Sequence, residues 1–167
     1  MFRDRDNFML AVNPIGREDL GKVLCLWVMQ VHELEKIDSP DIDAWYKVTQ
    51  STPSYFGFLA TDDGLPVGYV DGYMNYEPAT REKVLCARGL YVMHYYRGGV
   101  VANTLVAKLL ELGREKGADV VYWPTMPGHK ADSLAIRNFE PIQVINRRTI
   151  VGALEDVRSK SAREALS

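Results

Sequence analysis

No apolar stretch in the sequence approaches the ~20 residues that a membrane-spanning helix needs; its hydrophobic residues, 47% of the total, are spread along the chain. Nor is there a surplus of one charge. Twenty Lys and Arg stand against 22 Asp and Glu, for a formal net charge of −2. That balance offers no general attraction to nucleic acid or to an anionic membrane, and neither is expected as a partner. Cysteine is scarce. Cys25 and Cys86 form neither a C-x-x-C pair nor a disulfide framework, and both are expected to be buried, unreactive thiols. His32, His94 and His129 lie far apart without H-x-x-x-H spacing, so no metal site is expected. The N-terminal MFRDRDNFML mixes in charge early and lacks the apolar core of a secretion signal, which makes the cytoplasm the expected compartment. Internal repeats and long linkers are also missing.

What is present is a regular alternation of strand and helix signals. FMLAVNPIG, residues 8–16, reads as a strand closed by a turn. In the following segment Leu20, Leu24, Trp27, Val31 and Leu34 recur at three- and four-residue steps, which predicts a one-sided helix. A second helix is predicted after Ser39, its expected cap, with Pro40 at the first position and Pro53 ending it. Three strands follow in series. The first ends in Asp63-Gly64, a hairpin signal. The second alternates, with Val67, Tyr69, Asp71, Tyr73 and Asn75 on one face. The third, VLCARGLYVMHYY, is long and apolar enough for a central strand. Val101, Leu105, Leu109 and Leu112 then mark one side of a helix that Gly117 stops, and DVVYW reads as a short buried strand. A short helix around 130–137 and a last strand in EPIQVINRRTIVGAL complete the order β-α-α-β-β-β-α-β-α-β. The expected fold class is α+β: a mixed sheet flanked by helices, with the β-helix-β unit parallel and right-handed. One domain over 1–154 is expected, followed by a polar tail, 155–167.

Between the central strand and the helix lies the run Val92, Met93, His94, Tyr95, Tyr96, Arg97, Gly98, Gly99, Val100, Val101, Ala102, Asn103, Thr104, Leu105. It resembles the core pattern V-x-P-x-Y-R-G-x-G-x-G/A-x-x-L of the GCN5-related N-acetyltransferase (GNAT) superfamily, and the element order matches that family over roughly 7–154. The resemblance implies acetyl-CoA as co-substrate. Free N–H groups in a first helical turn, together with the positive end of the helix dipole, make an anion site suited to a pyrophosphate. It would be built from Gly98, Gly99, Val100, Val101 and Ala102, with Arg97 adding a permanent charge. The edge of the Leu90, Tyr91, Val92 strand would pair with the pantetheine amides like an added strand, and the N–H of Val92 or a neighbour would hold the oxyanion. The chain departs from the pattern at Val100, which stands at the middle glycine. It departs again at Leu134, which falls where many members carry a proton-donating tyrosine, and near Pro127, where they carry an asparagine.

A primary amine with a pKa near 10.4 must lose a proton before it attacks, which costs roughly 4.6 kcal/mol at pH 7. Asp71, Glu77 and His94 are the candidate bases, and Ser133 or a water is the candidate acid. His94 takes the place of the family's proline and titrates near neutrality; the alternative is a strand-end histidine without a role. Asp71 is otherwise a structural partner of a tyrosine, and Glu77 a solvated turn residue. Trp45, Tyr46, Tyr69, Tyr73, Tyr76 and Tyr91 are either acceptor-pocket lining or core. The loop MPGHK, 126–130, is either anion-attracting or a solvated turn. Two functions fit. One is an acetyltransferase that moves an acetyl group to a small-molecule or peptide amine by direct attack. The other is a catalytically inactive relative serving as a protein partner or homo-oligomer component in an assembly, which Val100, Leu134 and the polar tail favour.

Overall fold

The computed structural model describes residues 9–98 and 100–123. The helix expected at 130–137, the last strand, the MPGHK loop, the tail, Ser133, Leu134 and Gly99 lie outside the described residues. Within them the elements are β1 (Leu10–Pro14), α1 (Leu20–Gln30), α2 (Ile42–Ser51), β2 (Tyr55–Asp62), β3 (Leu65–Glu77), β4 (Glu82–Val92), α3 (Val100–Glu115) and β5 (Val120–Tyr122). The strands form one sheet in the order β1-β2-β3-β4-β5. All neighbours are antiparallel except β4 and β5, which run parallel across the α3 crossover.

Both faces of the sheet are covered, as the long apolar runs require. Phe56, Phe58, Ala60 and Val70 pack with Val101, Leu105 and Leu109 of α3 on one side. On the other, Leu59, Tyr69 and Tyr91 pack with Val23 and Leu26 of α1 and Trp45 of α2. The β2–β3 turn is tight because Asp63 and Gly64 both take left-handed backbone, φ 50° and 79°, the geometry of a primed hairpin turn.

Several local expectations are corrected. The buried stripe of α1 is Leu20, Val23 and Leu26, with Leu24 and Trp27 only partly covered, and Cys25 is exposed. The cap of α2 is Asp41, not Ser39: its carboxylate accepts from the Ala44 N–H at 2.9 Å, which satisfies one of the helix's free donors. Two register shifts interrupt the alternation of β3. Ala60 faces Gly68 while Thr61 faces Pro66, leaving Val67 as an extra residue that joins the α3 side. Asp71 faces Gly89 while Gly72 faces Ala87, leaving Arg88 as a bulge on β4.

Candidate active site

β4 and β5 pair only over Val84–Cys86. Beyond that point the edge of β4 that faces away from β3 has no strand partner among the described residues. The Met93 N–H donates to the Val67 carbonyl at 2.9 Å. Because antiparallel residues alternate in direction, Leu90 and Val92 therefore turn their N–H and C=O groups toward this open edge, while Tyr91 faces β3. Arg97 Nε donates to the Val92 carbonyl at 2.7 Å, so that carbonyl already has one partner and the Val92 N–H remains.

The strand leads through a 3-10 turn at His94–Tyr96 to Gly98, whose φ of +76° only a glycine adopts without strain. α3 begins at Val100 with ordinary helical backbone, so no strain arises from its β-branched side chain; that side chain is 70% exposed and fills no hollow. Val101 is buried in the core, and Ala102 packs against it. The free amides of the first turn of α3 thus stand where the open edge of β4 ends.

Arg97 is already partnered. Its guanidinium makes a two-pronged pair with Glu33, Nη1 to Oε1 at 2.5 Å and Nη2 to Oε2 at 2.8 Å, and lies 5.3 Å above the Tyr91 ring. The Tyr91 hydroxyl donates to Glu33 at 2.8 Å. The bonds from Arg97 hold the Glu33 carboxyl down at about 2, and burial together with Glu33 pushes the Tyr91 hydroxyl up to about 12. Arg97 thus fastens the turn before α3 to the π-helical turn, Val31–Glu35, that follows α1. Nothing in the sequence links Glu33 to Arg97, 64 residues away.

Asp71 is 3% exposed and sits opposite Gly89 on the α1–α2 side of the sheet. Oδ2 accepts from the Tyr55 hydroxyl at 3.2 Å, whereas Oδ1 has no hydrogen-bond partner. Burial raises its pKa to about 6. The Arg88 charge, the Tyr55 bond and the nearby Gly89 amide oppose that rise without cancelling it, the amide falling short of a full hydrogen bond. A side chain at residue 89 would put its Cβ 2.7 Å from the Tyr69 hydroxyl and 3.3 Å from Asp71 Oδ1. Glycine is what lets β4 lie over this carboxyl.

The other two described bases lie elsewhere. Glu77 ends β3 at the far end of the β3–β4 hairpin and accepts from the Ala79 N–H at 3.1 Å, a turn-closing role. His94 is exposed past the end of β4, in the turn that leads to α3, edge-on to Tyr95. Among the aromatics, Trp45, Tyr69 and Tyr91 are core, Tyr46 packs against it, and Tyr76 is exposed. Sequence reasoning missed Glu33, Tyr55, Thr49 and Arg88. Only Arg88 carried a signal, as a lone charge in the middle of an apolar strand. Among the described residues no three His, Cys, Asp or Glu side chains converge as a metal site would require, and no helix is long and apolar enough to cross a membrane.

Among the described residues, the central strand of a mixed sheet pairs with its parallel neighbour over Val84–Cys86 and then runs on into the mouth of a helix, an arrangement of the acetyltransferase kind. The chain belongs to the acetyltransferase (GNAT) family, which it matches over residues 23–136. Solved structures show the same fold at low identity. An aminoglycoside acetyltransferase from an uncultured soil metagenomic sample, in complex with sisomicin, is 19% identical, with TM-score 0.67 over 87% of this chain and 98% of the other. The aminoglycoside N-acetyltransferase AAC(6')-Iy in complex with CoA is 20% identical, with TM-score 0.68 over 89% and 99%. A putative acetyl transferase from Pyrococcus furiosus is 15% identical, with TM-score 0.72 over 84% and 99%. A comparison with curated proteins returns no match.

Proposed function

We propose that the protein transfers an acetyl group from acetyl-CoA to a primary amine by direct attack, with Asp71 as the final proton acceptor. The observation that carries this reading is the buried Asp71 carboxyl opposite Gly89, beside the open Leu90–Val92 edge. The diphosphate fits the free amides at Gly98, Val100, Val101 and Ala102, and the pantetheine arm pairs with Val92 and Leu90. Two residues of strand span about 6.6 Å. The arm therefore carries the thioester back along β4 toward Gly89 and away from His94.

The amine nitrogen attacks the thioester carbonyl carbon. The oxyanion that forms accepts from the outward N–H of Leu90, the donor of the β4 edge nearest Gly89. The C–N bond forms, the C–S bond breaks, and the thiolate leaves. With a thiol pKa near 8.5, it needs no strong acid to depart. Since Asp71 is covered, the proton lost by the amine reaches it through Tyr55: the half-buried hydroxyl takes that proton as it passes its own to Oδ2. Burial and Asp71 both raise the Tyr55 pKa, so the tyrosine relays the proton without ionising on its own.

The pH profile tests the reading, with CoA thiol release followed over a panel of aminoglycosides, polyamines, amino acids and a peptide N-terminus. In the wild type, log kcat/KM climbs with unit slope to about pH 6, where Asp71 has lost its proton, and then levels off. In Asp71→Asn the climb continues toward the pKa of the amine, which must then arrive deprotonated. A wild-type profile without the break near 6 excludes Asp71. Release of thiol by no amine in the panel supports the scaffold reading, which the Arg97–Glu33 lock favours.

A further inference from the structure

Among the described residues, one half-buried cation has no carboxylate within ion-pair distance, although its charge is felt by the buried Asp71. Arg88 is the extra residue of the β4 bulge, between Ala87 and Gly89, which both keep their β3 partners. Its two terminal nitrogens reach only the Thr49 hydroxyl, each at 3.3 Å, and the guanidinium lies 5.6 Å above the Tyr55 ring. Among the described residues no carboxylate comes within ion-pair distance of it, while Arg97 is fully paired. A partly desolvated guanidinium is costly unless something ionic completes it.

Two hollows meet at this side chain. The smaller, about 390 Å³, also contains Glu35 and Asp41, which repel an anion. The larger, about 630 Å³, has Arg88 as its one charged lining residue, with Ser51, Thr52, Tyr73 and Asn75 as neutral polar neighbours. Tyr55, directly beneath the guanidinium, is the residue that donates to the buried Asp71. The guanidinium thus lies over the ring of the same tyrosine whose hydroxyl meets the carboxyl proposed above to take the amine's proton.

We infer that Arg88 anchors a carboxylate on the acceptor, and that the amine acetylated is carried by an amino-acid-like zwitterion rather than by a polycation. The inference rests on the acetyl-transfer reading and adds the substrate class to it. One guanidinium, with Glu35 and Asp41 in the smaller hollow and Asp71 nearby, matches a single negative charge and not a dianion such as a phosphate monoester. In the larger hollow, where Arg88 is the one charged lining residue, it also opposes a polycationic acceptor such as an aminoglycoside.

Matched acceptors decide the matter. Rates of CoA thiol release are measured for a set of amino acids and the corresponding carboxamides, which keep the amine and side chain but lose the carboxylate. For the preferred side chain, the acid exceeds its amide in kcat/KM by about ten- to hundredfold, the size of a charge-assisted hydrogen bond, mainly through KM. Arg88→Gln brings that ratio to about one, and Arg88→Lys retains part of it. Equal rates for acid and amide in the wild type overturn the proposal whether or not the variants fold. So does turnover of aminoglycosides or polyamines alone. Calorimetry with acetyl-CoA separates the two readings: binding without acid preference removes only the carboxylate site. If acetyl-CoA does not bind, the acetyl-transfer reading fails, and the Arg88 site is judged by whether millimolar amino acid, but not its amide, stabilises the wild type and not Arg88→Gln.

Discussion

At the scale of single residues, two carboxyls in this protein are displaced in opposite directions, and the causes can be separated. Asp71 is raised because burial removes water from a carboxylate that keeps one partnered oxygen; Glu33 is lowered because a guanidinium and a phenol both donate to it. The linkage signs differ accordingly. Asp71 is easier to ionise in the unfolded chain, so its contribution lowers stability as pH rises from about 3.8 to about 6. Glu33 is easier to ionise in the folded protein, so its contribution is complete above about 4.5 and is lost as pH falls toward about 2. The side chains of Arg97 and Glu33 are 35% and 37% exposed, and water screens the pair. Glu33→Gln is therefore expected to cost only about 1 kcal/mol at pH 7. Thermal melts of wild type and variant should converge between pH 4.5 and 2; a constant gap across that range would assign the loss to packing instead. None of this was legible in the sequence. In the sequence Asp71 is a candidate because its strand is expected to face the reactive end of the coenzyme, and its place among tyrosines argues for a structural role; its burial and its unpartnered oxygen arise only once β3 lies between β2 and β4. The resemblance makes Arg97 a charge for the pyrophosphate, and nothing in the local sequence discloses its pairing with Glu33.

At the scale of elements, the sequence was far more informative. Every helix and strand among the described residues was legible in kind and order, because period-2 and period-3.6 hydrophobic patterns and the Asp63-Gly64 turn are local signals. Whatever depends on how two elements meet was not. The bulge at Arg88 and the extra residue at Val67 arise from register between strands, and the shifted stripe of α1 arises from which side of that helix meets the sheet. The bulge has a structural guard. A Cβ at Gly72 would lie 2.7 Å from the Cys86 carbonyl oxygen, a backbone atom that cannot move without breaking the ladder. At Gly113 of α3, the same 2.7 Å is to Leu85 Cδ2, the end of a side chain that can rotate. Gly72→Ala should consequently be the more damaging of the two, by about 1–3 kcal/mol, the usual range for overpacking that cannot relax. It should also disturb the position of Arg88, whereas Gly113→Ala leaves the bulge intact. Urea midpoints for both variants check the order; equal midpoints would mean that the strands separate without penalty.

At the scale of the whole molecule, the question is whether the first turn of α3 and the adjoining β4 edge bind the family's coenzyme. The family's middle glycine is absent, yet Val100 is helical and solvent-facing, and the departure leaves the first turn of α3 open. The charge on Arg97 is spent on Glu33, so affinity must come from the backbone amides, the helix dipole and the β4 edge. Those groups bind only the folded chain, and acetyl-CoA must then stabilise by mass action. At 100 times its Kd a ligand contributes about 2.7 kcal/mol. For a chain of 167 residues, at about 2–4 °C per kcal/mol, that raises Tm by roughly 5–11 °C. CoA lacking the acetyl group should give a similar shift, since the acetyl adds few contacts, while free adenosine should give little. Arg97→Ala should lower the melting temperature of the free protein yet keep most of the acetyl-CoA shift, because the arginine fastens the turn and the amides hold the phosphates. A variant that folds normally but loses the whole shift would return Arg97 to the role of phosphate ligand. No shift in the wild type at millimolar acetyl-CoA would leave the fold with its coenzyme site closed and the scaffold reading in its place.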